Sequence, residues 1–161
     1  MEDTISQAKA EFIRAKEQMA HALATTPDDK LNWTPSATAR TPIQQVAHAA
    51  NGISGIQRML VGKQFPFTSL SEFDAAMRAD EKEYTGRDQV LSLLEQNSAD
   101  YLAWLDMLTV EQLAATVQLP FGPSAPTAVA ITFAAYHLRH HVAQMDYIQT
   151  IYGDHDWHLT G

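Results

Sequence analysis

The chain has 161 residues, 45% of them apolar, a net charge of −8 and no cysteine. That length builds a hydrophobic core without covalent staples, and the missing cysteines exclude a disulfide framework, a thiolate nucleophile of the protein's own and any Cys-based zinc site. The 11 Lys and Arg are scattered among 19 Asp and Glu, which excludes the clustered positive charge that nucleic acid demands.

The acidic, amphipathic start (Met1-Glu-Asp-Thr-Ile-Ser-Gln) lacks the basic and apolar segments of a signal peptide, and no stretch reaches the roughly eighteen apolar residues of a membrane span. A cytoplasmic protein that engages neither membrane nor nucleic acid is therefore expected, with residues 1–161 as one domain and 153–161 as a tail.

In chain order, Ile5, Ala8, Phe12, Ala15, Met19 and Ala22 recur at spacings of three and four and predict a first helix, stopped at Thr26-Pro27. A non-helical stretch, Leu31-Asn-Trp-Thr-Pro35 and on to Arg40, leads to a second helix with a clear start. Thr41 can cap it, Pro42 suits the first helical position and Gln44 completes a capping box. Ile43, Val46, Ala47, Ala50, Ile53 and Leu60 form its apolar face, and Gly62 ends it. Gly52 and Gly55 lie inside this helix, where each costs roughly 1 kcal/mol against Ala. They mark either close approach of another segment or room for a bound group.

Residues 63–86 are mixed, with a short helix expected within Ser69 to Lys82. A third long helix is predicted from about Arg87 to Leu108, on a stripe that includes Val90, Leu94, Tyr101 and Leu105. Thr109-Val-Glu-Gln112 offers a capping box for a one- or two-turn helix, and Thr116 to Leu119 a brief extended segment. After Pro120-Phe-Gly-Pro-Ser-Ala-Pro126, a last long helix is predicted from about Thr127 to Tyr152, ending at Gly153. Four long striped helices predict an all-α four-helix bundle, and the long connection between the second and third lets it depart from simple up-down order.

Three of the seven histidines fall within Tyr136-His-Leu-Arg-His-His141. At about 100° per residue, His137 and His141 lie within roughly 40° of each other, with His140 about 60° to the other side. The core stripe of that helix runs through Ala130, Ala134, His137, His141, Met145 and Ile148, so His137 and His141 point inward. A buried imidazole must be hydrogen-bonded or coordinated, and an i, i+4 pair presents its nitrogens to a common point. A wet, water-satisfied pair at a cleft is the plainer alternative.

His48, on the second helix, is a candidate third ligand. It lies roughly 140° from Ile43 on that helix, which by periodicity alone makes it solvent-facing. It shares a side with Gly52 and Gly55, which would open a cleft beside it. His155 and His158 belong to the tail, and His21 has no evident partner.

Leu31-Asn-Trp-Thr-Pro35, Arg40-Thr-Pro-Ile-Gln-Gln-Val-Ala-His48 and His137-x-x-His140-His141-x-x-Gln144 together resemble the DinB-like (DinB/YfiT) superfamily over nearly the whole chain. The resemblance implies a four-helix bundle with an excursion between its second and third helices. It also implies a divalent metal held by three histidines, which by position are His48, His137 and His141. His140 then flanks the ligands, and Gln144 is a candidate to support them from behind. Val142-Ala143 stands where the family usually has Arg-Gly, which removes a possible anion contact.

Three imidazoles leave positions open for water or substrate, as in catalytic rather than structural sites. Zinc or nickel suits such a set. By resemblance, the expected activity is a metal-dependent thiol S-transferase, or a related hydrolase or isomerase, acting on small electrophiles with a low-molecular-weight thiol. The alternative is a non-catalytic, metal- or ligand-binding, stress-related homodimeric bundle. Asp146 is expected to be a solvated flank, and Trp33 and Tyr101 core packing rather than pocket lining.

Overall fold

The computed structural model describes residues 2–159. Helix α1, Glu2–Thr25, buries Ala8, Phe12, Ala15, Met19 and Ala22 as its spacing predicts. It stops where the Thr26 hydroxyl donates to the Ala22 carbonyl at 2.8 Å and Pro27 can supply no N–H. Arg87 reaches across to donate to the carbonyls of Leu23 and Thr26, satisfying groups that a helix end leaves without intrahelical partners. After a single 3-10 turn, Asp28–Lys30, the chain runs irregularly to α2, Pro42–Leu60. There the predicted capping box is present: Gln44 N–H donates to Thr41 Oγ1 at 3.2 Å and Thr41 N–H to Gln44 Oε1 at 3.1 Å. Gly62 ends the helix with φ at +73°, a conformation natural to glycine.

The excursion carries α3, Leu70–Glu81, capped by Ser69, before α4, Arg87–Asp106. The predicted short helix after Thr109 is α5, Val110–Ala114. The extended segment that follows is one arm of a hairpin: β1, Thr116–Gln118, pairs antiparallel with β2, Ser124–Pro126.

The last helix differs from expectation. It is broken into α6, Thr127–Ala130, and α7, Phe133–Ile151, with the break at Ile131-Thr132. Thr132 N–H and its hydroxyl both donate to the Val129 carbonyl, at 3.0 and 2.8 Å, tightening the turn. The Ile131 carbonyl instead accepts the buried Tyr101 hydroxyl at 2.6 Å. The hydrophobic stripe continues across the junction, so periodicity alone could not show it.

Helices α1, α2, α4 and α7 form the bundle. α1 packs chiefly on α7 and α4, and α2 on α4 and α7, so the consecutive helices α1 and α2 sit across a diagonal instead of side by side. Phe12, Met19, Leu23, Ile43, Ile53, Leu94, Leu105 and Leu138 fill the centre. Tyr101 is core as expected, its ring 4.9 Å from Phe12; Trp33 is half-buried outside the central cluster, edge-on against Tyr152. No helix among the described residues is long and apolar enough to cross a membrane.

Tyr101→Phe keeps the ring and strands the buried Ile131 carbonyl. It should lower the unfolding free energy by about 1–3 kcal/mol in urea titration, with the m-value unchanged. Wild-type stability in that variant would show that the junction does not depend on this hydrogen bond.

Candidate metal centre

Among the buried polar groups of the bundle, His141, Gln45 and Glu81 gather around one place between α2 and α7. His141 is 5% exposed and lies on the inward face of α7. His137, one turn earlier, is half-buried at the edge of that face. His48 comes from α2, its side chain 14% exposed. The ring centroids of His48 and His141 are 4.7 Å apart, those of His137 and His141 4.6 Å, and those of His48 and His137 5.3 Å. One ring nitrogen from each of the three lies within 4.8 Å of the others, a spacing that could hold a metal ion. The α2–α7 packing thus brings together the pair on one helix and the candidate third residue on another.

The glycines divide between the two roles foreseen for them. A Cβ on Gly52 would collide with Nε2 and Cδ2 of His137, whereas one on Gly55 would meet no heavy atom within 4 Å. Gly52 therefore permits the close approach of His137 to α2. Gly55 borders open space, a cavity of about 280 Å³ that His48 and His137 line from one side.

Two of the three rings are oriented from behind. His48 Nδ1 lies 2.6 Å from Glu81 Oε1, so Nδ1–H donates to the carboxylate and Nε2 keeps its lone pair. Glu81 is 1% exposed and is gripped in turn by Arg40, whose Nε donates to Oε2 at 2.6 Å and Nη2 to Oε1 at 3.0 Å. Burial alone would push the Glu81 carboxyl up, but the hydrogen bonds from His48 and Arg40 outweigh it and hold the group below the usual range. His141 Nδ1 donates to Gln45 Oε1 at 2.7 Å, leaving its Nε2 likewise free. His137 Nε2 is buried and has no hydrogen-bond partner among the described residues, the condition a metal or an ordered polar ligand would relieve.

Burial brings the His137 imidazole down to about 4, reinforced by neighbouring His48. Burial, reinforced by His137 and His48, brings that of His141 down to about 2, against a small opposing effect of Gln144. Both rings are neutral at pH 7, the form in which imidazole is a ligand.

His140 is exposed, and its Nε2 lies 3.0 Å from Gln144 Nε2. The side chains that hydrogen-bond the triad's nitrogens are Glu81 and Gln45, both missed from sequence. Gln45 left a faint signal, a polar residue inside the buried run Ile43–Ala50. Glu81 left none, since Asp80-Glu-Lys-Glu83 reads as solvated charge. Asp146 is exposed, as expected. In the tail, the His158 carbonyl accepts from His21 Nε2 at 3.0 Å and His158 Nε2 pairs with Asp154 at 2.8 Å, which supplies the partner His21 lacked.

Two outcomes follow for stability. Gly52→Ala overpacks His137 and should cost about 1–3 kcal/mol, while Gly55→Ala gains up to about 1 kcal/mol of helix propensity; equal effects in denaturant titrations would contradict the close approach. For pH, an unfolded imidazole titrates near about 6.5, so below that value the unfolded chain takes up protons that the folded rings refuse. The stability these rings contribute is complete above about 6.5 and is lost for His137 as the pH falls through about 4. Between those values the decline should be shallower in His137→Asn, by at most about 1.4 kcal/mol per pH unit, and parallel declines would show the ring is not buried neutral.

The chain matches the DinB superfamily over residues 11–145. No curated protein matches it by sequence. Among solved structures it is similar to YfiT from Bacillus subtilis, described as a probable metal-dependent hydrolase with an unusual four-helix bundle topology, at 17% identity and TM-score 0.72, covering 95% of this chain and 90% of that one. It is also similar to a mycothiol-dependent maleylpyruvate isomerase, at 11% identity and TM-score 0.72 over 88% of this chain, and spans 60% of that protein's length. A DinB-like protein from Bacillus subtilis, YjoA, aligns at 17% identity and TM-score 0.64, covering 93% and 94% of the two chains. At such identities these likenesses speak to fold alone. The family match, running through both the α2 histidine and the α7 pair, makes the chain a member of the DinB superfamily.

Proposed function

We propose that His48, His137 and His141 hold a divalent metal ion, zinc or nickel, and that the loaded protein directs a low-molecular-weight thiol at a small electrophile. On this reading it is a cytoplasmic S-transferase or a related isomerase or hydrolase. The observation that carries the reading is the convergence of three imidazoles, one with a buried nitrogen lacking any partner among the described residues, at the wall of an apolar cavity. A divalent ion on three imidazoles supplies Lewis acidity and lowers the pKa of a thiol or water in its open positions. The chain has no cysteine, so any thiol comes from outside. Names in the family support the class: one structural neighbour is called a mycothiol-dependent isomerase and another a probable metal-dependent hydrolase.

The chain's own residues have defined tasks. Glu81 fixes the His48 tautomer, Arg40 keeps Glu81 ionised, and Gln45 fixes His141. The apolar cavity wall lies against the face where His48 and His137 are presented. One observation favours a non-catalytic metal- or ligand-binding role instead. Glu81, the acid that touches the triad, is buried and fully engaged, and the described residues lining the cavity include no carboxylate that could act as a base.

Protein purified without an affinity tag should carry, or take up in calorimetric titration, one Zn²⁺ or Ni²⁺ per chain. His48→Ala and His137→Ala should abolish uptake, and Glu81→Gln should weaken it about 10–100-fold. A chain whose melting temperature ignores both metals would sink the metal reading. A stoichiometric site with no thiol conjugation across several electrophiles would select the binding role.

A further inference from the structure

The cavity beside the triad has a chemical character of its own. Its far walls are aromatic: Phe65 and Phe73 come from the excursion around α3, and Phe121 from the tip of the β1–β2 hairpin. Their rings interlock, with Phe65 5.2 Å from Phe73 and 5.5 Å edge-on from Phe121, and Phe67 backs both Phe65 and Phe73 at 5.4 Å. Edge-to-face arrays of this kind leave ring faces and edges available to a further flat ring. Among the described lining residues there is no Lys or Arg. Two acids touch lining residues and both are occupied: Asp80 accepts from Asn51 at 2.5 Å, and Glu81, beside His48, is held by Arg40. Lys63 lines the neighbouring, larger cleft and not this one. In the metal-free protein an anionic group pushed against these walls would lose its hydration with no countercharge among the lining residues.

Phe121 supplies an independent observation. It has φ at +58°, a left-handed backbone that a bulky residue rarely adopts and that tends to mark functional positions. The loop is locked in this shape from inside: the Gln118 amide donates to the carbonyls of Gly122 at 2.7 Å and Leu119 at 3.2 Å, and Ser124 Oγ donates to Gln118 Oε1 at 2.7 Å. Yet Phe121 is 50% exposed and lies outside the hydrophobic core, its ring meeting Phe65 at the cavity. The strained position serves to set a ring at the cavity's edge.

We propose that this cavity selects neutral, flat, apolar small molecules of about naphthol size and rejects anionic ones, with Phe121 as the residue that closes over the bound ring. The volume of about 280 Å³ is at the small end for a ligand site and suits a compact ring system. The proposal names the substrate class for the site described above. It rests on the metal reading for the reaction that follows binding, not for binding itself.

The test compares 2-naphthol with 2-naphthoate by calorimetry on the full chain, both Zn²⁺-loaded and EDTA-treated. In the EDTA-treated form, where no metal can attract the carboxylate, 2-naphthol should bind saturably and at least tenfold more tightly than 2-naphthoate. Phe121→Gly relieves the backbone, so it should melt no lower than wild type while binding 2-naphthol at least fivefold more weakly. Gly55→Lys, at a position with open space around its Cβ, adds a cation at the cavity and should bring naphthoate level with or ahead of naphthol. Equal affinities in the wild type, or affinities unmoved in both variants, would overturn the proposal. Failure of the EDTA-treated chain to take up Zn²⁺ again would count against the metal reading alone, because the naphthol preference is read without metal.

Discussion

A single buried carboxylate organises the functional half of this molecule. Glu81 enters the protein at the end of α3, loses nearly all contact with water, and is stable as an anion only because Arg40 and His48 meet it there. Removing either partner would leave a charge in a medium that penalises it heavily. The interaction therefore joins three segments far apart in sequence: the loop before α2, the middle of α2 and the end of the excursion. It docks α3 onto the bundle, with further help from the Arg40–Asp74 pair at 3.2 Å. In the same stroke it chooses which nitrogen of His48 faces the other two histidines.

The rest of the site is a problem of space. Two imidazoles on α7 can approach a third on α2 only if the two helices come close, and α2 presents a glycine, Gly52, where the His137 ring meets it. Small residues let backbones approach at the cost of helix propensity. At Gly52 the gain is visible, because the His137 ring occupies the volume a side chain would fill. Gly55, one turn on, keeps the cavity open rather than bringing a neighbour closer. The two glycines look alike in the sequence and do opposite things in the fold.

The excursion and the hairpin complete the site without belonging to the bundle. They bring Phe65 and Phe73 of the excursion together with Phe121 of the hairpin, tens of residues further along the chain. Two pieces of the structure that a helical reading treats as connections are thus what give the histidines a hydrophobic chamber. A metal centre without that enclosure would face bulk water, where electrostatic effects on a bound group are much weaker.

Much of this was legible from residue order alone, wherever the signal is local. Helical stripes predicted α1, α2 and α4, and the capping boxes at Thr41 and Thr109 marked helix starts because such boxes involve residues only three apart. The inward placement of His141 follows from a helical wheel, and the nomination of His48 from its place beside Gly52 and Gly55 together with the family's spaced pattern. What the sequence could not determine is everything that depends on contact between distant segments. Periodicity made His48 solvent-facing, and only the close α2–α7 packing with Glu81 behind the ring turns it toward the pair. The break at Ile131 depends on a hydroxyl from α4, Glu81 hides among solvated charges, and the aromatic wall is divided between the excursion and the hairpin. Local sequence carries the period of a helix and the chemistry of its caps. Which side chains share a buried space is decided by tertiary packing, because burial is what forces a lone polar group to find its partner.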